Sequence, residues 1–133
     1  MNTIVPAPFL RQALLSDGVT TGACAALMLA AATYLERILD LPAPLLQAAG
    51  LVLVPYAAVV SALGFRESLS RSMVWAVIAA NAAWALGSVL LLVSGWVRPS
   101  AAGYAFVLAQ AAVVAMYAEL QFVGLRRSVM LRA

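Results

Sequence analysis

Histidine and lysine are both absent from the 133-residue chain, cysteine occurs once, and only 10% of the residues carry charge. Each absence removes a class of function. Without His, the commonest metal ligand and the usual haem axial ligand are missing, and no Ser–His or Cys–His pair can form. The single Cys24 lies in an apolar run, so there is no intramolecular disulfide and no CxxC redox or zinc motif. There is no HExxH and no glycine-rich phosphate loop; Gly18 and Gly22 make only a GxxxG spacing. The chain therefore reads as a non-enzyme with no metal and no cofactor. The one catalytic option left is carboxylate and tyrosine chemistry at Asp17, Glu119, Tyr56 or Tyr117.

What the chain does have is apolar length. It is 65% hydrophobic with a mean hydropathy of +1.01. Soluble domains are about half apolar and about a quarter charged, so this composition cannot cover a globule of this size with water-compatible surface. The lipid bilayer is the expected solvent. Four apolar stretches, at 18–35, 45–65, 73–93 and 103–125, each approach the ~20 residues that a ~30 Å hydrocarbon core requires. The whole chain, 1–133, is then one transmembrane domain.

Punctuation supports these limits. Glu36, Arg37 and Asp40, followed by Pro42 and Pro44, end the first span. Arg66, Glu67, Ser68 and Arg71 form the second connector, with Ser70 or Ser72 available to cap the third span. Gly95, Arg98, Pro99 and Ser100 form the last connector, where Pro99 is placed to open the final helix. Short connectors predict an all-α, up-down-up-down four-helix bundle.

The net charge of +3 comes entirely from arginine on the basic side. Arg11, Arg66, Arg71, Arg126, Arg127 and Arg132 fall on one side of the membrane, Arg37 and Arg98 on the other. The positive-inside rule then puts both termini in the cytoplasm. No polar segment is long enough to spread these charges over a nucleic-acid-binding face, so no nucleic-acid partner is expected. The rival reading of the first span as a cleaved signal peptide, with Ala30 and Ala32 as an A-x-A site, fits poorly with the long preceding stretch that contains Asp17 and a single Arg. Residues 8–16 carry Phe9, Leu10, Ala13 and Leu14 at helical spacing. They read either as a short interfacial helix or as the first two turns of a long first helix.

The informative residues are those that are expensive inside a bilayer. At 1.5 Å per residue, Asp17 lies ~9 Å past Arg11 and Glu119 ~10 Å inward of Arg126. If the first and fourth spans are adjacent, these carboxylates can share a proton or converge on a cation. Asp17, between Ser16 and Gly18, also reads as a helix N-cap or as half of an ion pair with a nearby Arg. Glu119 shares a face with Ala112 and Ala115, which points it at another helix, and alternatively snorkels toward the headgroups.

A second set of polar residues lies deeper. Asn81, Trp84 and Ser88 share one face of the third span, and Gln110, Tyr117 and Gln121 share one face of the fourth. Tyr56, Asn81 and Tyr117 fall near ~15 Å from the cytoplasmic arginines, and Ser88 and Gln110 near ~25 Å. Matched depths permit interhelical hydrogen bonds, or the lining of a wet cavity. Gly18, Gly22 and Ala26 on the first span, and Ala79, Ala83 and Gly87 on the third, make small-xxx-small stripes for close helix packing, internally or in a homodimer. Pro55 implies a kink and a freed carbonyl in the second span.

The stretch from Val74 to Arg127, through Asn81 to Trp84, Pro99 and Gln110 to Arg127, resembles a family of small bacterial four-helix integral-membrane proteins with no assigned activity. That resemblance implies a bacterial inner membrane and no particular substrate. In gross layout the chain is also similar to the small multidrug resistance transporters, which have four spans and an acidic residue in the first. Two functions follow as expectations. One is a non-enzymatic membrane protein that packs as a homo-oligomer or with a membrane partner. The other is a minimal proton- or cation-coupled transporter of an unknown small molecule, using Glu119 and/or Asp17, with Asn81, Trp84, Tyr117 and Gln110 lining the path.

Overall fold

The computed structural model describes residues 3–131. Four long helices, α1 (Pro8–Ala30), α3 (Ala43–Gly64), α4 (Arg71–Val93) and α5 (Ala101–Arg126), are each long and apolar enough to cross a membrane, and a short α2 (Ala32–Leu39) follows α1. The chain is an all-α, multi-pass membrane bundle. Large apolar side chains such as Val19, Leu51, Leu86, Leu90 and Val93 are exposed, as a lipid-facing surface requires.

The helix boundaries follow local chemistry. Pro8 opens α1, where its missing N–H costs nothing, and Pro44 does the same in the first turn of α3. The α1 helix breaks at Ala31, and α2 ends at Asp40 in the left-handed conformation, φ 53°. Residues 8–16 are therefore the first two turns of one long helix. The amphipathic interfacial-type helix lies at the opposite end, where α2 buries Ala32, Leu35 and Leu39 and exposes Tyr34, Glu36 and Arg37. The first span thus begins ten residues earlier than its apolar run, because Arg11 and Asp17 find partners inside the protein. Arg11 Nη1 donates to the Gly64 carbonyl at 3.2 Å. The α3 helix runs unbroken through Pro55.

Ser100 fastens the far end. Its Oγ accepts from Gly103 N at 3.1 Å as the N-cap of α5 and donates to Ile38 O at 2.7 Å, joining α5 to α2. Opposite, three short strands, β1 (Thr3–Val5), β2 (Leu69–Ser70) and β3 (Val129–Met130), form an antiparallel sheet ordered β2-β1-β3. Ile4 on the central strand is buried at the foot of the bundle. Arg11, Arg66, Arg71, Arg126 and Arg127 lie at this sheet end, and Arg37 and Arg98 at the α2 end; Arg132 lies outside the described residues.

The helices alternate in direction, yet sequence neighbours do not all pack. The α1 helix sits against α3 and α5, and α5 against α4, while α3 and α4 diverge despite their short connector. Two hydrophobic cores result. The sheet-end core holds Leu10, Leu14, Val60, Leu63, Val74, Val77 and Leu125; the α2-end core holds Met28, Leu35, Leu46, Leu92 and Val107. The buried polar side chains Asp17 and Thr21 of α1, Asn81 of α4 and Gln121 of α5 fall between them.

Candidate functional site

At that junction the side chain of Asp17 is wholly buried, ten residues into α1 and far from any free helix N-terminus. This corrects its reading as an N-cap. It also replaces the ion-pair reading, since the partners of Asp17 are all neutral. Oδ1 accepts from Thr21 Oγ1 at 3.0 Å. Oδ2 accepts from Asn81 Nδ2 at 3.0 Å and from Gln121 Nε2 at 2.7 Å, and lies 2.8 Å from the Tyr56 hydroxyl. One carboxylate therefore binds α3, α4 and α5 at once. Asn81 Nδ2 also donates to Gln121 Oε1 at 2.9 Å, which makes Asn81 and Gln121 part of the same closed network.

The hydrogen inventory of this network depends on one proton. The Tyr56 oxygen is 2.8 Å from Asp17 Oδ2 and 2.9 Å from Asn81 Oδ1, and a phenol has a single hydrogen to give. With Asp17 ionised, that hydrogen goes to the carboxylate and Asn81 Oδ1 has no side-chain donor among the described residues. With a proton on Oδ2, Asp17 donates to the Tyr56 oxygen and Tyr56 donates to Asn81. Asn81 Oδ1 then gains a donor, while Oδ2 becomes a weaker acceptor for the Asn81 and Gln121 N–H groups than the carboxylate oxygen is.

Glu119 is not part of this arrangement. It is exposed, as are Ala112 and Ala115 on the same face of α5, so the expected convergence with Asp17 does not form and no helix among the described residues covers that face. Tyr117 is buried but pairs with Thr20 on α1, 2.9 Å between hydroxyls, rather than with Tyr56 or Asn81. Thr20 and Thr21 were not legible as site residues; the only signal is the placement of Thr21 four residues after Asp17, on the same helical face.

One turn beyond Asn81 lies a second cluster. Trp84 Nε1 donates to Gln110 Oε1 at 3.0 Å. Gln110 Nε2 donates to Ser88 Oγ at 2.8 Å and to Val107 O at 3.0 Å, and Ser88 Oγ donates to Trp84 O at 2.7 Å. This cluster forms one wall of a groove of about 480 Å³ where α3 and α4 diverge. Cys24 and Met28 of α1, Leu46, Ala49 and Leu53 of α3, Ala83, Gly87 and Leu91 of α4 and Phe106 of α5 complete it. No charged side chain lines the groove. Its size falls within the ~300–1,000 Å³ of small-molecule sites.

The two small-residue stripes have different fates. A Cβ on Gly18 would collide with Ser61 Oγ and lie 3.3 Å from Ser61 Cα, so Gly18 sets the close approach of α1 to α3, while a Cβ on Gly22 would make only ordinary contact, 3.8 Å from Ala57 Cβ. Ala26 is exposed. On α4, Ala79, Ala83 and Gly87 are also exposed, and a Cβ on Gly87 would meet nothing within 4 Å. That stripe serves no packing among the described residues. Gly124, absent from either stripe, is the close-approach residue between α5 and α1, its notional Cβ 2.7 Å from Leu10 Cα.

Among the described residues no three Cys, Asp or Glu side chains come together as a metal site. Comparison with protein-family models, with curated proteins and with solved structures gives no match.

Proposed function

We propose that the protein is a small, non-enzymatic, proton-linked carrier of an uncharged lipophilic molecule in the bacterial inner membrane. The observation that supports this most directly is the position of Asp17: a fully buried carboxyl with no cationic partner among the described residues, bonded to all three other long helices, about two helical turns along α1 from Cys24 in the lining of an apolar groove. Ionisable groups inside a bilayer are costly and generally mark proton or substrate paths. The inner-membrane assignment rests on the family resemblance and on the arginine asymmetry between the two ends of the bundle.

The groove's free hydrogen-bonding capacity defines the ligand. The Trp84 N–H, the Ser88 hydroxyl hydrogen and the Gln110 amide are already committed within the cluster. Ser88 Oγ and Gln110 Oε1 each keep a lone pair. The site therefore accepts hydrogen bonds and suits a neutral donor headgroup, such as a hydroxyl or primary amide, on an apolar tail. The link between groove and carboxyl in this reading runs along the helices: Trp84 stands three residues from Asn81 on α4, and Gln110 shares α5 with Gln121, so a ligand displacing either acts on the Asp17 network through its helix. The titratable group hydrogen-bonded to Asp17 is Tyr56 of α3; α4 and α5 face it with the amides of Asn81 and Gln121.

The test is a thermal-shift series in neutral detergent with long-chain primary alcohols and amides against alkylammonium and fatty-acid probes of equal chain length, at two pH values. Binding to the native state raises its apparent stability. The proposal expects the neutral donors to stabilise the wild type in a pH-dependent manner and Asp17→Asn without pH dependence. Equal shifts from all four probe classes would refute a defined site.

A second reading has one observation of its own. The exposed Ala79, Ala83 and Gly87 stripe suits close packing against a second copy or another membrane protein, which would cover the groove.

A further inference from the structure

A separate cavity of about 270 Å³ lies at the sheet end, between the start of α4 and the end of α5, lined by Ile4, Arg71, Leu125, Arg126, Ser128 and Met130. Two arginines line it together with the apolar Ile4, Leu125 and Met130, and no acidic residue is in the lining. Arg71 is the first residue of α4 and Arg126 the last of α5, so both stand where two membrane-spanning helices leave the hydrocarbon. That is the depth of lipid headgroups. Arg126 is braced, its guanidinium carbon 5.7 Å from the centroid of the Phe122 ring, which itself packs edge-on against Trp75. Ser70 gives no side-chain cap to α4, and the first turn of α4 holds no acid, so the positive end of the helix dipole adds to the two arginines.

We infer that this cavity is a phosphate site whose occupant is the headgroup of an anionic lipid. Arginine forks match phosphate oxygens in a bidentate manner, and basic pockets between membrane helices on the cytoplasmic side bind such headgroups. The apolar part of the lining, Leu125 and Met130, supplies contact for the glycerol backbone. The site is independent of the α3–α4 groove and of the proton on Asp17. Its physical role is to add a headgroup bridge between the start of α4 and the end of α5 at the membrane surface, beside the Trp75–Phe122 contact that already packs them.

The test uses the full chain in neutral detergent, titrated with phosphatidylglycerol, cardiolipin, phosphatidylcholine, and inorganic phosphate. Native mass spectrometry counts bound lipid, and thermal stability reports its effect. Phosphatidylglycerol or cardiolipin is expected to bind and stabilise where phosphatidylcholine does not, with apparent affinity about five-fold weaker in Arg71→Gln and weaker again when Arg126→Gln is added. Arg66→Gln, outside the lining, leaves binding unchanged. Because Arg126 also braces Phe122, the single Arg71→Gln variant of an exposed side chain carries the test should the double variant fail to fold. Protection by inorganic phosphate at similar affinity supports the site and assigns it to a soluble phosphate. Equal binding by wild type and Arg71→Gln, or an equal loss in Arg66→Gln, overturns it in favour of a diffuse basic surface.

Discussion

Oδ2 of Asp17 on α1 accepts a 2.7 Å hydrogen bond from Nε2 of Gln121 on α5, 104 residues away in the chain. Both side chains are completely buried. The pair closes the bundle between its first and last helices, and through Asn81 and Tyr56 the same carboxyl reaches α4 and α3. Asp17 is thus at once the group that joins the helices and the only buried acid.

Removing the carboxyl strands its donors. Asp17→Ala leaves Thr21, Asn81 and Gln121 without an acceptor they now share, and interhelical hydrogen bonds in membranes contribute ~0.6–2 kcal/mol each. Equilibrium unfolding in mixed micelles is expected to show a loss of ~2–4 kcal/mol for Asp17→Ala and ~1 kcal/mol for Asp17→Asn, which retains an acceptor oxygen. Equal losses would mean that the network contributes through shape alone.

The glycines separate internal packing from the lipid face. Gly18→Ala places a methyl against Ser61 and is expected to cost ~1–3 kcal/mol, most of it recovered in the double variant with Ser61→Gly. Gly87→Ala meets nothing and is expected to be neutral, or to stabilise the monomer by up to ~1 kcal/mol through helix propensity. A loss of dimer on Gly87→Ala, read by cross-linking or light scattering, would instead favour the second-copy reading of the α4 stripe.

How much of this was legible in the sequence differs from residue to residue. Apolar run lengths define the four spans because the thickness of the bilayer is a fixed ruler. The shared depth of Ser88 and Gln110, and of Tyr56 and Asn81, follows from counting along helices, and both pairs are hydrogen-bonded. Asp17 was ambiguous because Ser-Asp-Gly is as good a cap as it is an interior turn, and only the location of the helix start decides between them. Glu119 was misdirected because alanines beside it mark a smooth face without saying whether protein or lipid lies against it. The sheet was invisible: strands of two and three residues carry no period. The divergence of α3 from α4 was equally hidden, since a short connector limits the distance between helix ends and not the angle between helices.

Cys24 lines the groove from α1 and is the only cysteine, which makes it a site-specific reporter. An apolar maleimide is expected to modify it in membranes at least several-fold faster than a sulfonated one, and a long-chain alcohol is expected to slow that reaction, followed by mass spectrometry. Labelling at equal rates by both reagents would mean that the groove opens to water.

Ser100 tests the far end. Ser100→Ala removes the cap on Gly103 N and the bond to Ile38 O, with an expected cost of ~1 kcal/mol in micelle unfolding and faster amide hydrogen exchange confined to the start of α5 and the end of α2. Exchange that rises uniformly through the bundle would contradict a local fastening role.

The proposed carrier reading requires a proton on Asp17, and infrared difference spectroscopy tests for it directly. Spectra of the protein in lipid are compared between acidic and alkaline pH, with and without a long-chain primary alcohol, for wild type and Asp17→Asn. The account predicts a protonated-carboxyl carbonyl band in wild type that shifts when the alcohol binds and is missing in Asp17→Asn. A wild-type spectrum in which every carboxyl band survives Asp17→Asn, or in which the Asp17 band ignores the alcohol, would contradict it.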